Sequence, residues 1–169
     1  SFDFNPVFDS VRFLLAGADL TFGNLETVTA GKSGKYTGYP LFNTPDEYVA
    51  ALFNTGFDVL FTSNNHSLDR GRKGIERTID IVNKYKMIPV GTYKSQADRD
   101  SIRIIAKNGI RIAMLSYTYG LNGNYLPEKF LVNKIDEKLI KSDIEKAKTK
   151  TPDLILVYYH FGNEYERVP

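Results

Sequence analysis

Apolar positions along the chain fall into short runs and helical stripes that alternate, the pattern of an α/β protein. Val7 to Ala18 carries Phe8, Val11, Leu14 and Leu15 at helical spacing and reads as an amphipathic helix. Ala18 to Phe22 is a short apolar run that turns polar after Gly23, in Asn24-Leu25-Glu26-Thr27. Residues 28–43 are rich in Gly, Thr, Lys and Tyr and read as a loop. Gly31, Gly34 and Gly38 lack any phosphate-cradling spacing. Thr44, Pro45 and Glu47 then form a T-x-x-E helix start with proline at the first helical position. Tyr48, Ala51 and Leu52 supply its buried face, and Gly56 stops it.

The stretch Asp58 to Gly71, D-V-L-F-T-S-N-N-H-S-L-D-R-G, is the centre of the pattern. It opens as a buried strand (Val59, Leu60, Phe61) and turns polar at Ser63, Asn64, Asn65 and His66. It passes Asp69 and Gly71 into a helix with Ile75, Ile79 and Val82 inward, ending near Lys86. Ile88 to Val90 is the next strand. Ile102 to Ala106 and Ile110 to Tyr117 flank Asn108-Gly109, a two-residue hairpin signal. Residues 118–133 read as a loop around Gly120, Gly123 and Pro127. Glu137 to Lys148 is helical through Ile140, Ile144 and Ala147, and Leu154 to Tyr159 is a strand that delivers His160.

Composition narrows the function classes. At 169 residues, 42% hydrophobic and 25% charged, the chain is one globular domain. A net charge of +2 without a long basic block argues against a nucleic-acid partner. With no cysteine, disulfides, thiolate zinc sites and thiol catalysis are excluded, while the compartment stays open. No apolar run reaches the roughly 18 residues of a membrane span, and no basic-then-apolar leader pattern is present. The chain starts inside an apparent helix and stops at Val168-Pro169, a few residues after a polar cluster, so it reads as a fragment of a longer protein.

Three polar clusters follow three apolar strands: Asn24 with Glu26; Asn64, Asn65 and His66; and His160 with Glu164. Both histidines of the chain stand at strand carboxyl ends, where open α/β sheets place their sites. If the three strands are neighbours in one sheet, the clusters face one crevice. Asparagine, carboxylate and imidazole suit manganese, iron or zinc, and a histidine free of metal suits proton transfer. The plainer alternatives are a hydrogen-bonded strand-end histidine, turn asparagines and solvated glutamates. Gly162 permits close backbone approach or is an ordinary turn. Arg70, Arg72 and Lys73 at a helix start would be explained by a bound anion or by a solvated charged turn.

These same residues resemble the bacterial capsule synthesis protein CapA family, the poly-γ-glutamate capsule proteins. The matching motifs are G-N-L-E (Gly23 to Glu26), N-N-H-x-L-D-x-G (Asn64 to Gly71), G-I-x-x-T (Gly74 to Thr78) and H-F-G-x-E-Y (His160 to Tyr165). F-N-T-P-D-E-Y and T-G-F-D-V-L match in style and spacing, so the likeness covers nearly all of residues 1–169 as one domain. The family is similar to calcineurin-like metallophosphoesterases, which implies a layered α/β/β/α sandwich, here truncated. By that resemblance Glu26, Asn65 and His160 are metal ligands and His66 the general acid. Asn24, Asn64, Asp69 and Glu164 are neighbouring binding residues.

The resemblance implies two functions. One is an extracytoplasmic accessory component of capsule biosynthesis that handles an anionic polymer, poly-γ-glutamate, beside membrane synthase subunits, with an anchor in the full-length protein. The other is a metal-dependent hydrolase of phosphate esters. The acidic first-strand motif and the closing His-x-His pair of phosphoesterases are both missing, and Asn24 stands in place of a bridging aspartate. A divalent transition metal (Mn, Fe or Zn) is therefore expected to bind weakly or not at all.

Overall fold

The computed structural model describes residues 2–163 and 166–167. The three apolar runs at positions 22, 59 and 88 form a parallel sheet: β1 (Phe22–Asn24), β2 (Val59–Phe61) and β3 (Ile88–Val90), in that order. A second sheet contains β4 (Arg103–Lys107), β5 (Ile110–Thr118) and β6 (Leu154–His160), with β4 antiparallel and β6 parallel to β5. The hairpin between β4 and β5 turns at Asn108 and Gly109, with φ of 51° and 82°, as the dipeptide demands.

The sheets stack face to face. Val59 and Phe61 point from β2 toward Val90 and Met114, with Ile105, Ile112, Leu156 and Tyr158 around them. The Phe61 ring lies parallel to Tyr158 at 4.5 Å and stacks on Phe22 at 6.1 Å, joining β1, β2 and β6 in one aromatic column. Leu60 points the other way, to Val49 and Leu52 of α2 (Asp46–Thr55) and Ile81 and Val82 of α3 (Gly71–Lys84). Burying each of these large side chains contributes roughly 1.5–3 kcal/mol.

Beyond the second sheet, Tyr117 of β5 donates its hydroxyl to Asp143 of α5 (Glu137–Lys148) at 2.8 Å. Asp143 also takes both guanidinium nitrogens of Arg99, on the short α4 (Gln96–Asp100), at 2.8 and 2.5 Å. Burial, and then the Asp143 carboxylate, push the Tyr117 hydroxyl far above its ordinary value. The order helix, sheet, sheet, helix is the expected α/β layering. The strands, however, are not neighbours in one sheet, as the shared crevice assumed: β1 and β2 belong to one layer and β6 to the other.

Local signals were overridden in places. The Thr44 hydroxyl pairs with Thr27 at 2.7 Å and caps nothing; α2 begins at Asp46 after Pro45. Helix α1 (Asn5–Leu15) starts earlier than its stripe predicts and buries no residue fully. Phe8 alone reaches the core, and Val11 and Leu14 face outward. Helix α4 has too few residues to leave a periodic signal.

Gly91, just after β3, lies close against the loop after β2 and against β5 of the other layer. At its φ of 108° a Cβ would lie 2.4 Å from the Ser63 Cβ and 3.0 Å from that of Ser116. Neither neighbour can retreat, because the first belongs to the buried loop after β2 and the second to β5. Gly91→Ala is therefore expected to lower stability by about 3 kcal/mol in urea unfolding, combining backbone strain with overpacking. A change below about 0.5 kcal/mol, the range of an ordinary surface substitution, would contradict this packing.

Candidate functional site

The stretch after β2 is buried from Thr62 to Asp69. Its polar atoms are satisfied largely from within the chain. The Ser67 hydroxyl lies 2.6 Å from the Thr62 carbonyl and 2.7 Å from that of Asn64, and accepts from the Asn64 amide at 2.9 Å. The Asn64 side chain accepts from the His66 amide at 3.1 Å, an Asx turn. Its Nδ2 donates to the Leu25 carbonyl at 2.8 Å and to Asn24 Oδ1 at 3.2 Å. Asn64 thus fastens the end of β1 to the end of β2. Its polar groups are directed into the protein, not into a cleft.

That fastening sets two neighbouring residues at a common opening. Asn65 Oδ1 accepts from His160 Nε2 at 2.9 Å, across the two sheets, and its Nδ2 donates to Asn122 Oδ1 at 3.1 Å. Glu26 approaches His160 Nε2 at 3.8 Å while its other oxygen accepts from Asn24 at 2.9 Å. Glu26, Asn65 and His160, with Tyr119 and residues 161–163, line a cleft of about 190 Å³. Tyr119 lies over the His160 ring at 6.1 Å. Three of the expected residues therefore meet, and they meet across a sandwich.

His66 sits deeper. Its Nδ1 hydrogen-bonds Asp69 Oδ2 at 2.7 Å, and the same oxygen accepts from the Phe42 amide at 2.8 Å. Asp69 Oδ1 is buried with no hydrogen-bond partner among the described residues. The Phe42 ring meets the imidazole edge-on at 4.5 Å, and Asn122 Nδ2 lies 3.4 Å from Nε2. Asn122 Nδ2 is also 3.5 Å from Nδ1, so it sits over the imidazole face, and the Asp69 carboxylate is the group that orients the ring through Nδ1. Glu164 lies outside the described residues.

Asn122, Phe42 and Tyr119 escaped the sequence reading. The Asn122-Gly123 dipeptide carried a turn signal, and both residues have positive φ, but a turn signal does not report what the asparagine side chain reaches. Phe42 opened a recognised motif without a role, and Tyr119 carried no signal. Two of the three cations at the start of α3, Arg70 and Arg72, are engaged elsewhere. Arg72 pairs with Glu76 at 2.7 Å and Glu128 at 2.5 Å, and Arg70 donates to the Leu41 carbonyl at 3.0 Å.

Among the described residues the cleft is poor in carboxylate and imidazole for a transition-metal centre. A divalent ion takes about four to six donors; the cleft's described lining offers one carboxylate (Glu26), one imidazole (His160) and the side-chain amides of Asn65 and Asn163. Asp69, the other carboxylate close by, faces His66 and Phe42. Among the described residues no three His, Cys, Asp or Glu side chains form a group able to hold a metal ion.

A two-sheet α/β sandwich with a polar cluster where the two layers' strands end is the class of protein defined by this geometry. The chain belongs to the bacterial capsule synthesis protein PGA_cap family, which matches residues 1–169. It is 30% identical over 170 residues to the PGA biosynthesis protein CapA of Bacillus subtilis (strain 168), covering 98% of this chain and 44% of that protein. It is 30% identical over 129 residues to the capsule biosynthesis protein CapA of Bacillus anthracis, covering 73% and 31%. The chain thus spans less than half the length of either relative.

Burial lowers the His160 pKa from its ordinary 6.5; Glu26 pulls it back up and His66 pushes it down further. Because the folded value lies below the unfolded one, the unfolded chain takes up the proton first as pH falls. Stability is therefore complete above the ordinary histidine range and declines as pH drops through about 6.5. An NMR titration is expected to find the His160 midpoint below about 6.5, and Glu26→Gln should lower it further. A midpoint raised above that value, or raised by Glu26→Gln, would contradict the geometry of this cluster.

Proposed function

We propose that this chain acts in the biosynthesis of a bacterial capsule polymer, poly-γ-glutamate, as a component that handles the anionic chain without hydrolysing phosphate esters. The observation that carries the reading is the family match along the whole chain, which includes every residue that converges at the His160 cleft. Two relatives named for PGA or capsule biosynthesis support it.

The cleft's chemistry agrees with recognition. Asn65 and Asn122 form an amide pair suited to a peptide-like group, and Tyr119 and Phe161 supply aromatic surface beside it. With a single carboxylate and a single imidazole among the cleft's described lining residues, a divalent metal is held weakly or not at all, and no catalytic step is assigned to it. The hydrolase alternative needs a metal-activated water, and this donor set does not support one.

In this reading the protein works outside the cytoplasmic membrane beside synthase subunits. None of the helices among the described residues is long and apolar enough to cross a membrane.

Deleting the gene in its native host is expected to abolish surface poly-γ-glutamate, and the wild-type gene should restore it. An Asn65→Ala, His160→Ala double variant, present at wild-type level, should restore little. Unchanged surface polymer after deletion would overturn the biosynthetic role. Metal-stimulated turnover of generic phosphodiesters by the purified protein, abolished by His66→Ala, would overturn the non-hydrolytic reading.

A further inference from the structure

A second and larger cleft, about 730 Å³, opens where the segment 125–136 passes α4 and α5, and it shares no lining residue with the His160 cleft. Leu126, Phe130, Val132 and Leu139 give it apolar walls. This combination of size and lining is typical of sites that take organic ligands, whose volumes run from roughly 300 to 1,000 Å³.

Its charges are unequally engaged. Arg99 is bound by Asp143 at the base, and Lys146 reaches Asp100 at 3.0 Å. Asp136 accepts from the Leu139 amide at 2.8 Å and caps α5. Lys129 and Lys134 are exposed on the rim, and among the described residues neither forms an ion pair. Tyr125, 84% exposed, stands beside them. The occupant that complements this cleft has an apolar body and at least two anionic groups.

We propose that this cleft binds a γ-linked glutamyl segment of the capsule polymer, with carboxylates on Lys129 and Lys134 and main-chain methylenes against the apolar walls. The inference rests on the polymer-handling reading above and gives that reading a surface. Each γ-linked repeat carries two methylenes in its main chain and one carboxylate beside the amide. Apolar and anionic groups thus alternate at short intervals along an extended chain. An α-linked glutamate chain keeps its methylenes in mobile side chains, with the carboxylate at their ends. Exposed lysine–carboxylate pairs are individually weak and screened by salt, so affinity grows with the number of repeats and falls with ionic strength.

Isothermal titration at low salt with γ-linked glutamate oligomers of defined length tests the proposal, with α-linked oligomers of equal length in parallel. The unaltered protein is expected to bind the γ-linked oligomer more tightly than the α-linked one. The K129E/K134E variant should lose about tenfold or more in affinity, since each reversal replaces attraction with repulsion. K84E/K107E makes the same charge change at two exposed sites outside the cleft and should stay within about twofold. Equal binding by K129E/K134E and the unaltered protein would overturn the cleft while leaving polymer handling standing. Equal affinity for the two linkages would overturn the γ-glutamyl assignment. No binding by the unaltered protein would overturn the cleft and count against direct polymer handling, whereas the gene deletion would still decide the biosynthetic role separately.

Discussion

Seven polar side chains, Thr62 to Ser67 and Asp69, are buried within one eight-residue stretch, and the site depends on how they are satisfied. A buried polar group without a partner costs about 1–3 kcal/mol, so such a segment folds only if the surrounding chain answers nearly every donor and acceptor. Ser67 and Asn64 answer the local backbone. Asn64 also binds the Leu25 carbonyl after β1, and Ser63 donates to the Asn133 carbonyl at 2.7 Å. The loop is thereby tied to the end of the neighbouring strand β1 and to the segment between β5 and β6. Asn65 and His66 project from a frame that has little freedom.

Aromatic packing between the layers complements that frame. The column Phe22, Phe61, Tyr158 places the carboxyl ends of β1, β2 and β6 on one side of the sandwich. His160, one residue past Tyr159, then lands opposite Asn65, and Glu26, two residues past β1, lands beside both. The cluster is a consequence of two sheets aligned at one end, and its chemistry follows from what those ends carry. It holds one carboxylate, two amides and two imidazoles, one of which is bound to the buried Asp69.

The molecule presents two unlike openings. The His160 cleft is small and lined by polar and aromatic groups, whereas the cleft by α4 and α5 is larger, apolar inside and cationic at the rim. The buried Arg99–Asp143–Tyr117 network underlies the second and welds α4, α5 and β5 into one wall.

Much of this was legible in the sequence because it is local. Apolar runs bounded by Gly, Pro and Asn located five of the six described strands, whereas the run Ala18 to Phe22 meets β1 only at Phe22; Asn108-Gly109 specified the hairpin, since a left-handed pair of residues admits few alternatives. The abrupt change from Phe61 to Asn65 marked the site because an apolar strand ending in amides and a histidine has few structural uses. Family motifs assigned the chain to capsule proteins. Periodicity reports which face of an element is buried, never what it is buried against. It therefore could not divide the strands between two sheets, show that Val11 and Leu14 face outward, or turn the Thr44 hydroxyl to Thr27. Nor could it bring Asn122 and Phe42 to His66, or Arg99 to Asp143, 44 positions away. Those pairings join residues far apart in the chain, and only the packed layers decide them.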